Sequence, residues 1–118
     1  MAFTFENLKV WQKARELVKE VYLLLNTFPK NENYALCDQL RRAIVSVPSN
    51  IAEGSGRQSD KEQVRFIEIA FASLMESFCQ LTLAVDLGYI KVEQLDNLRP
   101  IFEEIAKMLS GLRKAHSS

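Results

Sequence analysis

Histidine is all but missing from this chain. A single one, His116, stands near the end of 118 residues. There is therefore no Glu-x-x-His pair for a di-iron bundle, no second histidine for a zinc site, and no Ser-His or Cys-His couple for nucleophilic catalysis. Cysteine is limited to Cys37 and Cys79. Each falls inside a helical pattern and neither belongs to a CxxC motif, so two reduced, packed thiols are expected rather than a disulfide framework. Four glycines and three prolines are too few for a turn-rich all-β fold, a collagen-like repeat or a disordered linker. Charge of either sign is not in excess, with 15 Lys and Arg against 15 Asp and Glu, and no overall field draws in nucleic acid or an anionic membrane. The start of the chain has no basic leader followed by an apolar core. Apolar runs such as Val21 to Leu25 stop far short of the roughly 18 residues that a membrane span needs. A cytoplasmic protein with no membrane partner is the expectation.

What remains is apolar and periodic. With 47% hydrophobic and 25% charged residues, the chain fits one domain over residues 1–118. Four helices are read, approximately over 7–27, 32–53, 60–87 and 92–112. In the first, Val10, Ala14, Leu17, Val21, Leu24 and Phe28 recur at spacings of four and three, with Trp11, Val18, Tyr22 and Leu25 widening the stripe. Asn31 is a candidate N-cap for the second. That helix places Leu36, Leu40, Ala43, Val47 and Ile51 on one face. Pro48 lies within it, removing the hydrogen bond to the Ile44 carbonyl at a cost of roughly 3 kcal/mol and predicting a kink between them. Gly54-Ser55-Gly56 reads as the stop.

Ser59-Asp60-Lys61-Glu62 reads as a capping box that starts the longest helix. Its core stripe is Val64, Ile67, Phe71, Leu74, Phe78, Leu81 and Val85, and Gly88 stands where a C-cap glycine belongs. Ala70, Ala72, Ser73, Met75, Ser77 and Cys79 keep other faces small or soft, which lets a neighbouring helix approach closely. The fourth segment carries Leu95, Leu98, Phe102, Ile105, Leu109 and Leu112. It either kinks at Pro100 or splits there into two helices. Residues from Gly111 onward, His116 included, are expected to fray. Four amphipathic helices joined by short loops pack most simply as an all-α, up-down-up-down antiparallel four-helix bundle. The first and third helices are apolar over a wider arc than a bundle core needs, and self-association is the natural outlet.

No catalytic, cofactor or metal residue is assigned. Gly54-Ser55-Gly56 lacks the Lys-Ser/Thr and the preceding strand of a phosphate loop. Glu103 and Glu104 point about 100° apart on a helix and read as a solvated face. Two polar groups stand out. One is Gln39, Arg42, Ser46, Asn50 and Glu53 on the second helix with Arg65 and Glu76 on the third, joined by Arg41, Glu68, Ser73 and Gln80. It reads first as a network that fixes helix register, and alternatively as a small-molecule site around Arg42, Asn50, Glu53 and Glu76. The other is the basic group Arg41, Arg42, Arg57, Lys61 and Arg65 near the loop between the second and third helices, a candidate nucleic-acid patch. Glu53, Asp60 and Glu62 interleave with it, so a lone subunit is expected to bind phosphates weakly, whereas a ring repeating the patch gains by avidity.

Leu8-Lys9-Val10-Trp11-Gln12-Lys13-Ala14, Phe28-Pro29, Gln39-Leu40-Arg41-Arg42-Ala43, Ser46-Val47-Pro48-Ser49-Asn50-Ile51-Ala52-Glu53-Gly54, Phe66-Ile67-Glu68-Ile69-Ala70 and Ser73-Leu74-Met75-Glu76 resemble the bacterial four-helix-bundle proteins encoded in intervening sequences of 23S ribosomal RNA genes. The resemblance implies an up-and-down bundle assembled as a homopentameric ring, with no established biochemical activity. The same fold is similar to the accessory variability protein of diversity-generating retroelements, which binds nucleic acid and a reverse transcriptase. That relative is strongly basic, whereas this chain is neutral with a pI near 6.6. The function implied is a non-enzymatic, oligomeric scaffold or accessory protein whose partners are copies of itself and RNA or a nucleic-acid-handling protein.

Overall fold

The computed structural model describes residues 2–32 and 35–117. Four α-helices make up the fold and, among the described residues, no strand occurs: α1 (Lys9–Leu25), α2 (Leu36–Ser55), α3 (Asp60–Asp86) and α4 (Val92–Ser117). Short 3-10 turns at Thr4–Asn7 and Lys30–Glu32 precede α1 and α2. The molecule is elongated, about 43 by 24 by 23 Å. Each helix packs on the next along the chain and α4 closes back on α1. The core between them is Leu17, Leu40, Ile44, Leu74, Leu81, Ile105 and Leu109, all excluded from solvent, with their neighbours on the same stripes.

Local chemistry explains most of the boundaries. The Ser59 hydroxyl accepts the Glu62 amide at 3.1 Å, the forward half of the capping box, and starts α3. Gly88 adopts φ +78°, its amide bonds the Val85 carbonyl at 3.0 Å and the Tyr89 amide bonds that of Ala84 at 2.9 Å. This is a Schellman stop, which requires the left-handed conformation that glycine adopts without strain.

Four expectations are corrected. Asn31 does not cap α2; it lies in the 3-10 turn, and the N-cap position is Ala35, which offers no side-chain acceptor. Helix α2 stops within Gly54-Ser55-Gly56 as expected, ending at Ser55, but Gly56 follows in a right-handed rather than a left-handed conformation and Gly54 lies inside the helix. A Cβ on Gly54 would lie 2.8 Å from Phe66 Cβ, so this glycine serves the close approach of α2 and α3. The fourth helix neither splits at Pro100 nor frays from Gly111 but continues to Ser117. Its last turns are tied to α3 by Arg113 and Glu68 at 2.9 Å and by His116 and Asp60 at 3.0 Å. Finally, the deepest face of α3 is turned toward α2. Of the expected stripe Ile67, Leu74 and Leu81 are buried, but Val64, Phe71, Phe78 and Val85 are only half-buried, while Phe66, Ala70, Ser77, Gln80 and Ala84 are buried. Small residues permit this, since α2 reaches them more closely than it could reach a row of phenylalanines.

Helix α3 is, among the described residues, the one helix long and apolar enough to cross a membrane by length and composition. Its apolar residues serve two sides, the bundle core and an outward face.

Candidate functional site

Three features stand apart from the plain apolar core: the seam between α2 and α3, the basic group beside their loop, and the outward face of α3.

The seam is polar but largely closed on itself. Ser46 and Ser73 share a hydrogen bond of 2.8 Å, and Asn50 Nδ2 donates at 2.8 Å to both the Ser46 hydroxyl and its carbonyl. Ser77, fully buried, donates to the Ser73 carbonyl at 2.8 Å. Gln80 Nε2 reaches Gln39 Oε1 at a long 3.4 Å, and Gln80 Oε1 is buried without a partner among the described residues. The contacts Gln39 with Gln80, Ser46 with Ser73 and Gly54 with Phe66 descend one helix as they climb the other. The structure thus brings together Gln39, Ser46 and Asn50 with Ser73 and Gln80. It leaves Arg42, Glu53, Arg65 and Glu76 exposed on the outer surfaces of the two helices. Arg42 turns to Asp38 at 3.3 Å and Glu53 to Arg57 at 3.9 Å, each pair within α2 or its end.

The orphaned Gln80 oxygen leads to a specific expectation. A buried acceptor without a donor costs about 1 to 3 kcal/mol, whereas an apolar side chain of similar size costs nothing of the kind. Gln80→Met is expected to raise stability by about 1 kcal/mol, read as a higher urea midpoint at unchanged m-value.

In the basic group, Arg57 packs its guanidinium 4.9 Å above the Phe66 ring while its carbonyl accepts from Gln63 Nε2 at 2.6 Å. Lys61 and Arg65 are exposed on the first turns of α3, and Arg41 is half-buried; none makes an ion pair among the described residues. The partners of Arg42 and Arg57 are exposed, so these pairs hold their charges only loosely.

The outward face of α3 repeats at spacings of four and three: Arg65, Ile69, Ala72, Glu76, Cys79, Leu83, Leu87. All are exposed, Leu83 at 46% and Leu87 at 59%, and Met75 adjoins them at 42%. Beside it, between α3 and α4, an open groove of about 940 Å³ has Phe71, Pro100 and Ala106 on its walls, with Ser110 and Gly111 beyond. Sequence reasoning noted the width of the apolar arc and missed the groove. It also missed the pairing of Arg113 and His116 with α3. The spacing of Leu109, Leu112 and His116, which extends the helical repeat past Gly111, was the available signal.

Comparison with known proteins adds a family and a fold. The family model described as 23S rRNA-intervening sequence protein matches residues 6–111. A solved structure of a protein of unknown function from the S23 ribosomal protein family of Bacteroides thetaiotaomicron VPI-5482 is similar, with a TM-score of 0.80 and 25% sequence identity. The match covers 89% of this chain and 98% of that one. No curated protein matches. Neither match indicates an enzyme family.

Proposed function

Because this chain belongs to the 23S rRNA-intervening sequence protein family, we propose that it is a non-enzymatic scaffold: a ring of identical subunits, five in number, that associates with RNA in the cytoplasm. The protomer is an up-down-up-down bundle with α2 bent near Pro48. This order is supported by the opposed contacts along α2 and α3 and by those of α3 and α4, where Asp60 meets His116, Glu68 meets Arg113 and Phe78 meets Phe102.

The observation that carries the proposal is the exposed apolar row on α3. A monomer gains nothing by leaving Ile69, Met75, Leu83 and Leu87 in water, and covering the part of each that is exposed, between 37% and 59%, is worth roughly 1 kcal/mol per side chain. The row carries Arg65 and Glu76, opposite charges that a second copy can match and a lipid surface cannot. The row and the groove that adjoins it between α3 and α4, lined also by Glu103, Glu104, Lys107 and Lys114, are two different surfaces, the requirement for head-to-tail contacts that close into a ring. Repeated around that ring, Arg41, Arg42, Arg57, Lys61 and Arg65 form a discontinuous basic surface that one neutral subunit lacks.

Fluorescence anisotropy against a structured RNA at several salt concentrations tests the RNA part. Binding tighter than about 1 μM at physiological salt is expected. Arg41→Ala with Arg57→Ala is expected to weaken it and to make the salt slope shallower by about 1 for each phosphate no longer neutralised. Absence of binding at low salt contradicts it.

A further inference from the structure

We infer that the flank of α1 turned toward α2, together with the 3-10 turn before it, is a stacking strip for the unpaired bases of single-stranded RNA. The inference rests on the reading that the protein associates with RNA, and it names the form of that RNA and a surface of its own. The first observation is a set of rings held open to water. Phe3 is 72% exposed, and its ring lies parallel to that of Phe5, at 9° and 6.2 Å between centroids. Phe5 meets Trp11 edge to face at 4.8 Å, and the Arg15 guanidinium lies 5.5 Å from the Trp11 ring centre. No residue of the turn is buried. Polar bonds fix it instead: the Phe3 amide donates to Glu6 Oε1 at 2.7 Å, the Glu6 amide to the Phe3 carbonyl at 3.0 Å and Gln12 Nε2 to the Glu6 carbonyl at 2.8 Å. An exposed ring on a pinned backbone is ordered before any partner arrives, so a flat group that stacks on it has little ordering left to offset.

The strip continues along α1. Lys13, on the opposite flank of the core stripe, pairs with Glu104 of α4 at 3.2 Å, so the flank bearing Trp11, Val18 and Tyr22 faces α2. On α2, Ser46 and Asn50 mark the side of α3. Arg41, Val45 and Pro48 lie about 100° to 160° round that helix from Ser46, on the side of α1. The seam between the two helices has Trp11, Val18, Arg41 and Pro48 half-buried, with Tyr22 and Val45 more open. From Trp11 to Tyr22 it runs about 16 Å, and with the turn it has room for about four nucleotides.

Charge and shape together select the occupant. Arg15, Lys19 and Arg41 border the strip, and none makes an ion pair among the described residues. Of the nearest carboxylates, Glu6 accepts the Phe3 amide, and Glu16 is turned about 100° from Arg15 toward a polar groove on the outer side of α1. Rings beside unpaired cations are the pattern of single-strand sites, where bases stack and the cations follow the phosphates. Paired RNA keeps its base faces covered, and an acidic peptide brings the charge without a series of flat rings. A bilayer surface is flat, whereas Trp11 and Val18 are recessed between two helices where a flexible strand reaches them.

Trp11 is the one tryptophan of the chain and its fluorescence reports on the strip directly. A short oligouridylate and an abasic ribose-phosphate chain of equal length carry the same charge and differ in the bases. Oligouridylate is expected to quench Trp11 along a saturating curve and to bind about tenfold tighter than the abasic chain, the scale of one stacked base. Displacement of a labelled oligouridylate reads both affinities. Phe3→Ala, which touches no buried residue, is expected to bring the two chains within about twofold of each other, and Phe3→Tyr to restore the preference. Arg57→Ala, in the basic group, is expected to leave the preference in place while weakening structured RNA. Absence of quenching, equal affinity for the two chains, a preference that survives Phe3→Ala, or a fall in molar mass on Phe3→Ala, which gives the strip to a second copy, each overturns the inference. The RNA reading fails separately, when structured RNA does not bind. If structured RNA binds through Arg57 and the bases earn no preference, that reading stands and the strip falls.

Discussion

Gly54→Val is expected to cost about 3 kcal/mol of stability, even though valine is a better helix former than glycine. Gly54 lies inside α2, and a Cβ there would stand 2.8 Å from Phe66 Cβ. The atom it meets is rooted in the backbone of α3 and cannot swing aside as a side-chain tip would. The two helices must therefore separate. Separation loosens the Ser46 to Ser73 hydrogen bond and uncovers Ile51 and Phe66, so the cost is that of overpacking a dense seam. Gly111→Ala is the matched control. It too lies inside a helix, but a Cβ there meets nothing within 4 Å. Its expected effect has the opposite sign, a gain of about 0.5 to 1 kcal/mol from helix propensity. Urea unfolding of the two variants separates these outcomes. A Gly54→Val protein as stable as the original would mean that α2 and α3 do not approach as described.

If the proposed ring forms, Ile69→Lys combined with Leu83→Lys is expected to convert it to single chains without loss of helix. Both positions are exposed on α3 and neither contributes to the core of one bundle, so the protomer itself has little to lose. In a ring the same residues are covered, and burying an unpaired ammonium there costs several kcal/mol per site, repeated at every interface. Sedimentation velocity together with circular dichroism reads both halves of the expectation. Unchanged mass with both lysines in place would move the interface to another face.

The helices were largely legible in the sequence because their core stripes are strict: Val10, Ala14, Leu17 and Val21, or Leu98, Phe102, Ile105 and Leu109, recur at helical spacing and are buried as that spacing requires. The rotation of α3 was not. Its sequence is apolar or small on nearly every side, so periodicity alone does not say whether Phe71 or Ala70 lies deeper, and the partner helix decides. The role of Gly54 was equally hidden. A glycine near a helix end carries the same local signature whether it ends the helix or admits a neighbour, and the difference lies in Phe66, twelve residues away. The end of α4 misled for a related reason: Pro100, Gly111 and a polar tail argue for fraying locally, while the contacts that hold the tail come from Glu68 and Asp60, 45 and 56 positions back. Of the candidate site residues, the polar set was visible as a group. Which members face inward depended on the angle at which α2 crosses α3.

The measurement that bears most directly on the proposed function is the molar mass of the purified protein by sedimentation equilibrium at micromolar concentration. A closed ring predicts a single species near five times the 13.5 kDa of one chain, unchanged on tenfold dilution. A species at 13.5 kDa throughout would contradict the account and leave the apolar row on α3 without its partner.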